Sequence, residues 1–438
     1  MTQYVLEPIE KLLRRPLVIF GAAAALLVAP VALVWLGLPL LKPMLSNQFA
    51  FSILMMAISL FIIIHGAAGC IWIERKMSAW IQDRYGPNRV GAFGLLQPVA
   101  DGIKFILKED IIPKGVDKPV FLLAPCIAFV IALIGFAVIP WAGDITWPWT
   151  DADGNAITVS TQVANIDMGL LYMLAVGALS VYGVVLAGWA SNSKYSFYGG
   201  MRATAQMLSY EVPLGLGLLV ILMVSGTLRL DEIVMQQAKT GAWNIFLHPV
   251  AALLVIISAF AETNRAPFDL AEAEQELVGG YHTEYSAMKF SLFFLAEYSH
   301  MITNSALIVA LFLGGWAPLP GLGLLADNQA WWAGLIKFGV FWGKVAAFIG
   351  FYVLIRWTLP RFRFDQLMRL AWKSLVPAGM AAILATGVLV VLDLHRSVVA
   401  SLLVNVALVA AAIFVAGALR APITGRQEGL PDIDVRPA

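Results

Sequence analysis

Apolar runs of roughly 18 or more residues recur along this chain from one end to the other, each long enough to carry a helix across ~30 Å of hydrocarbon. They define ten candidate spans: about Leu17–Leu41, Phe49–Ile73, Val120–Trp141, Gly169–Ala190, Met207–Ser225, Ile245–Ala261, Leu292–Leu313, Trp332–Trp357, Val376–Leu394 and Val398–Leu419. The expected fold class is therefore all-α, a polytopic transmembrane helical bundle. Composition points the same way. With 60% hydrophobic and 13% charged residues, against ~25% charged in a soluble domain, 438 residues cannot cover a water-facing surface. The net charge of +1 names no partner, and basic residues scattered along the chain make no nucleic-acid-binding stripe. Cys70 and Cys126 lie in separate apolar runs without the paired spacing of zinc or iron–sulfur ligands, and both read as buried apolar residues.

An even number of spans puts both termini on one side, and charge decides which. With a cytoplasmic N-terminus, the inner segments hold Lys11, Arg14, Arg15, the basic residues from Arg75 to Lys118, then Lys194, Arg202, Arg265, Lys289, those from Arg356 to Lys373, and Arg420, Arg426 and Arg436. Outside or within spans remain Lys42, Arg229, Lys239, Lys337, Lys344 and Arg396. This bias predicts a multi-pass membrane protein with both termini cytoplasmic. The first run exceeds the ~7–15 residues of a signal peptide and lacks a small-residue cleavage site, so it reads as a retained anchor. The loop from Gly143 to Asn165 carries Asp144, Asp151 and Asp153 with no Lys or Arg, as an exported loop should. Trp141, Trp147 and Trp149 suit an interfacial belt.

An ionisable group inside a span costs ~2.5–3.5 kcal/mol on insertion scales, which makes Glu211, Glu297 and Lys344 functional candidates. Glu297, His300 and Asn304 recur at three- and four-residue spacing and share one helix face, which must look into the bundle. Glu297 can be a satisfied interhelical contact or a proton-carrying carboxylate; taken alone it does not decide. Between Ala261 and Tyr285, Glu262, Asp269, Glu272, Glu274, Glu276 and Glu284 gather against a single Arg265. Like charges that close share protons as a group. Leu270, Leu277, Val278 and Tyr281 interleave them, and Gly279-Gly280 permits tight packing. After the second span, Leu95, Leu96, Val99, Ile103, Ile106 and Leu107 fall opposite Asp101, Lys104, Lys108 and Glu109, the pattern of an amphipathic helix in the interface. Gly86, Gly91 and Gly94 lack the Lys-Ser/Thr of a phosphate loop, and His282-Thr283-Glu284 has no second ligand nearby for a metal. These residues support proton handling and an amphiphilic ligand, without redox-centre ligands.

The stretches Glu74-Arg75-Lys76, Arg84-Tyr85-Gly86-Pro87-Asn88-Arg89, Gly94-Leu95-Leu96-Gln97-Pro98-Val99-Ala100-Asp101 and Lys108-Glu109-Asp110 resemble the membrane heel component of proton-pumping NADH:quinone oxidoreductase, respiratory complex I. The likeness continues through Gly188-Trp189-Ala190-Ser191-Asn192-Ser193-Lys194-Tyr195, Ser209-Tyr210-Glu211, the run from Ala261 to Glu272, Glu276-Leu277, Glu284-Tyr285, Ala296-Glu297-Tyr298, Ile355-Arg356 and Phe364-Asp365-Gln366. It covers about Gln48 to Leu394, so the chain divides into an N-terminal extension (1–45) with an extra span, a core similar to the complex I heel (46–394), and a further span with a cytoplasmic tail (395–438).

The resemblance implies a membrane component that joins the hydrophilic arm to the membrane arm and forms much of the quinone chamber. Glu74, Arg75, Asp101, Arg265 and Asp269 would surround quinone, with the amphipathic helix at the lipid-side mouth. Glu211, Glu262, Glu272, Glu274, Glu276, Glu284 and Glu297 match the family's glutamate channel toward the pumping subunits, and Lys344 and Arg356 match basic positions that can balance them. The substrate would be ubiquinone or menaquinone. No cofactor would be bound by this chain, since iron–sulfur clusters and FMN reside in partners. Those partners would be the hydrophilic-arm subunits carrying the terminal cluster and the rest of the quinone pocket, the small membrane-arm subunits, the antiporter-like pumping subunits and membrane lipids. Related heel proteins serve hydrogenases and dehydrogenases fed by other donors. An autonomous transporter would also place carboxylates in spans, although no inverted repeat is visible.

Overall fold

The computed structural model describes residues 47–150, 155–272, 279–318, 327–394 and 397–418. The expected span Leu17–Leu41 lies outside them, as do Glu274, Glu276 and the side chain of Glu272. The described elements are α1 (Gln48–Ile81), α2 (Gln97–Leu107), α3 (Lys118–Ile134), the hairpin β1 (Asp144–Thr150) and β2 (Ala156–Ser160), α4 (Gly169–Ala190), α5 (Lys194–Ser225), α6 (Leu230–Thr240), α7 (Asn244–Leu247), α8 (Pro249–Glu262), α9 (Ala287–Phe312), α10 (Trp331–Thr358), α11 (Phe364–Val391) and α12 (Val398–Ala418). Seven of these helices, with α3 counted through its following 3-10 turn, are long and apolar enough to cross a membrane, and α8 and part of α12 are shorter apolar helices. The chain is a multi-pass membrane protein.

Several helices outrun the apolar windows that announce them. α1 continues two turns past Ile73 to carry Glu74, Arg75 and Lys76, α5 begins at Lys194 rather than Met207, and α11 begins at Phe364 rather than Val376. Hydropathy marks only the part of a helix that meets hydrocarbon, while intrahelical hydrogen bonds propagate into water until a breaker intervenes. In α11 the join is a π turn at Leu370–Leu375, just before Pro377, whose missing N–H cannot continue the regular ladder. The sixth expected span, Ile245–Ala261, is two pieces: α7 and the 14-residue α8.

α9 sits at the centre. Some 72% of its apolar window is enclosed by the rest of the chain, against 28–50% for the other long spans, so polar groups on α9 face protein rather than lipid. At the end that the charge bias predicts to face outward, called the outer end, the loop between α3 and α4 forms a hairpin, with Thr146 paired to Thr158 in its register and Thr146 N–H donating to the Gln329 carbonyl at 2.7 Å. The tryptophans expected at the lipid interface are instead packed inward. Trp141 is fully enclosed among Phe136, Phe338 and Trp342, and Trp147 is buried and stacked on the half-buried Trp149. The hairpin folds back over the bundle and removes these rings from the interface. Cys70 is buried as expected, but Cys126 is exposed, because in α3 an apolar residue can face outward as readily as inward.

Candidate functional site

The inner loop after α8 is shaped by helix-stop chemistry and one buried amide. Asn264 takes the left-handed conformation just past the α8 cap, and Pro267 follows, which together end the helix. Gln206, fully enclosed on α5, places its amide nitrogen within 2.8–3.0 Å of the Ala261 carbonyl, Asn264 Oδ1 and the Phe268 carbonyl. This staple presents Arg265 to the bundle interior. On the neighbouring loop, Gly280 lies so close to α5 that a Cβ on Gly199 would come within 2.6 Å of the Gly280 backbone, which explains the glycine at 199, while Gly280 itself takes a positive φ of 74°.

Arg265 is the hub. Its guanidinium pairs with Glu74 at 3.2 Å and with Glu297 at 2.7 Å, and its carbon centre lies 3.9 Å from the Tyr298 ring centroid. Glu74 also pairs with Arg356 and accepts the Tyr298 hydroxyl at 2.7 Å. α1, α9, α10 and the loop after α8 each contribute to this cluster, so it exists only once they pack. It borders a cavity of ≈ 630 Å³, within the size range of small-molecule sites, lined by four guanidinium groups (Arg75, Arg84, Arg265, Arg356) and three carboxylates (Glu74, Asp269, Glu297).

Arg75 is held by Asp101 at 2.6 Å, which ties α1 to the amphipathic α2, and Asp101 supports the wall rather than lining it. α2 itself fully buries none of its residues and leaves Val99, Ile103, Ile106 and Leu107 more than half exposed, an apolar face at the surface of the described residues. Asp269 is gripped at 2.7 and 2.8 Å by Arg361, a residue that nothing in the sequence pattern singles out. Tyr298 and Gln206 also stand outside the residues picked from the sequence. Gln206 was detectable in principle as a buried amide in an apolar helix; Tyr298 sits in the matched Ala296-Glu297-Tyr298 stretch, but nothing local marked its bond to Glu74, which is more than 200 residues away.

Beyond Glu297 lie two smaller cavities. One of ≈ 50 Å³ is lined by Glu297, Glu262, His300 and Tyr281, and the next, ≈ 30 Å³, by Glu262, His300, Asn304 and Glu211. Each exceeds the ~10–15 Å³ that one water requires. Asn304 donates to Glu262 at 3.3 Å, and Gly177 on α4 leaves room for the carboxylate, since a Cβ there would sit 3.1 Å from its oxygen. Glu297, Glu262 and Glu211 therefore border one broken line of cavities. Glu284 is half-buried on the inner loop and joins neither small cavity. In the same loop, burial lowers His282 to a pKa of about 4, so it is neutral near pH 7.

Lys344 lies elsewhere. Its ammonium donates to the carbonyls of Leu313, Gly315 and Ala317 just beyond the C-terminus of α9 and sits 4.6 Å from the Trp243 ring centroid. It has no carboxylate to balance among the described residues; it caps a helix end. No group of three or more His, Cys, Asp or Glu is placed to hold a metal ion among the described residues.

Fold and site together define a class: a polytopic α-helical membrane protein with an ionised chamber at its inner end. The profile of the family described as NADH dehydrogenase matches residues 53–387. The chain is 50% identical over 327 residues to the H subunit of NADH-quinone oxidoreductase from Leptospira biflexa, covering 74% of this chain and 90% of that one. It is 47% identical over 342 residues to an H subunit of the same enzyme from Koribacter versatilis (76% and 95% covered), and 46% identical over 322 residues to that of Flavobacterium psychrophilum (73% and 91%). The chain belongs to this family, the H subunits of NADH-quinone oxidoreductase, and is the membrane component of an enzyme complex with further subunits.

Proposed function

We propose that this chain forms much of the chamber in which quinone is reduced and that Glu297, Glu262 and Glu211 carry the resulting charge change toward the pumping part of the complex. The observation that carries the reading is Glu297, which borders both the large chamber and the first small cavity while paired to Arg265. Guanidinium groups suit the carbonyl oxygens of a quinone head, and the exposed apolar face of α2 suits the lipid from which its tail enters. Electrons arrive from an iron–sulfur cluster in a hydrophilic-arm partner, fed through FMN; this chain supplies pocket and protons. A two-electron reduction draws two protons to the quinone oxygens, which alters the field at Arg265. Glu297 then exchanges its proton with the cavity beyond, and Glu262 and Glu211 follow. Glu272, Glu274, Glu276 and Glu284 are assigned to the same proton relay in this reading. The small membrane-arm and antiporter-like subunits receive it, the membrane is the bacterial inner membrane, both termini are cytoplasmic, and the terminal extensions serve as insertion anchors. The residues 46–394 form the working core.

Glu297→Gln tests this. The variant complex is expected to assemble with normal subunit content yet lose about tenfold in quinone-linked turnover and pumping. Parental pumping in the assembled variant would sink the role.

A further inference from the structure

Among the described residues, only two line both small cavities: Glu262 and His300. They form the partition between the Glu297 side and the Glu211 side. Asn304 anchors Glu262 in that wall, whereas the Nδ1 of His300 is enclosed and has no hydrogen-bond partner among the described residues. An imidazole spent on packing normally satisfies its ring nitrogens. His300 instead stands one helical turn from Glu297 and one from Asn304, on the α9 face that looks into both cavities.

We propose that His300 is a second proton carrier in the partition, passing protons between the two cavities beside Glu262. This rests on the relay reading above and adds to it a residue that is not a carboxylate. The step balances simply. One ring nitrogen takes a proton from a protonated water or a carboxyl group on the Glu297 side, and the N–H on the other nitrogen gives its proton to a water or carboxylate on the Glu211 side. The ring ends neutral in its other tautomer, and rotation restores it. No electron moves. The titratable groups around it are Glu297 on its own helix, Glu262 on α8, Glu211 on α5 and Tyr281 on the inner loop; α3 and α4 present apolar side chains, Gly177 and Ser180.

The test uses the whole complex in proteoliposomes, comparing parent, His300→Gln, His300→Leu and Glu297→Gln at matched subunit content. Protons translocated per electron are measured, together with the pH profile of coupled turnover. His300→Gln keeps a hydrogen-bonding group but cannot carry a proton, so coupled turnover about tenfold down with a changed pH profile supports the proposal. Parental coupling and pH profile in His300→Gln, with loss in Glu297→Gln, overturns it while leaving the glutamate relay standing, since an amide then suffices. Parental coupling in both variants removes the relay and this proposal together. Should His300→Leu fail to assemble, His300→Gln alone decides.

Discussion

The two ends of α9 meet the same problem, buried polar groups in an apolar bundle, and solve it differently. At the inner end, charges are paired with charges: Arg265 with Glu74 and Glu297, and Arg356 with Glu74. At the outer end, buried polar groups are spent on backbone. Lys344 takes three carbonyls, Gln237 bonds the Ala310 carbonyl at 2.9 Å and accepts from the Gly314 N–H, Asn244 bonds the Leu311 carbonyl at 2.8 Å, and Asn405 bonds the Leu247 carbonyl at 3.0 Å. The contrast shows that the high cost of an ionisable group in a span marks a candidate but not its role. Backbone acceptors are fixed, so Lys344 is a clamp. Carboxylate partners can change charge, so Arg265 and Glu297 can respond to chemistry.

The comparison breaks most sharply at Arg265. Arg265→Met leaves Glu74 and Glu297 without their shared cation, and breaking a buried pair costs ~3–5 kcal/mol. NADH:quinone turnover at matched subunit content is expected to fall about 100-fold; near-parental turnover would show that the cluster is passive. Lys344→Met should cost about 2–3 kcal/mol in stability by stripping three carbonyls of a charged donor. A lower melting temperature and yield of the complex, with unchanged protons per electron, is the expected pattern. Loss of coupling at parental stability would move Lys344 into the relay.

A smaller effect concerns the inner loop. Burial depresses His282 from 6.5 to about 4, so as pH falls through that interval the undocked loop gains a proton that the docked loop refuses. Its docking should weaken progressively from about pH 6.5 down to pH 4 and be flat above. Hydrogen exchange of residues 279–286, corrected for intrinsic rate, checks this, and His282→Phe should abolish the dependence. The smallest effect is expected at the Arg75–Asp101 pair, whose arginine is 46% exposed. Asp101→Asn should change stability by less than about 1 kcal/mol yet raise the quinone KM a few-fold, because Arg75 loses its anchor. An unchanged KM would remove α2 from the quinone path.

Much was legible in the residues themselves. Apolar run length determines helices in hydrocarbon, because a spanning backbone must satisfy its own hydrogen bonds, and the scarcity of charge made each exception conspicuous: Glu211, Glu297 and Lys344 could be picked from one chain. The amphipathic α2 was equally plain, since its pattern is local. What the residues could not say was who faces whom. The pairings Glu74–Arg265, Glu74–Tyr298 and Arg361–Asp269 join positions 191, 224 and 92 residues apart, and no local period encodes them. The outward limits of the helices, the inward turn of Trp141 and Trp147, and the clamp role of Lys344 were decided likewise by packing. The sequence by itself determined a membrane bundle with costly charges inside it. Only the tertiary structure decided which charges share a cavity, because partner choice is set by the distances between packed helices rather than by spacing along any one of them.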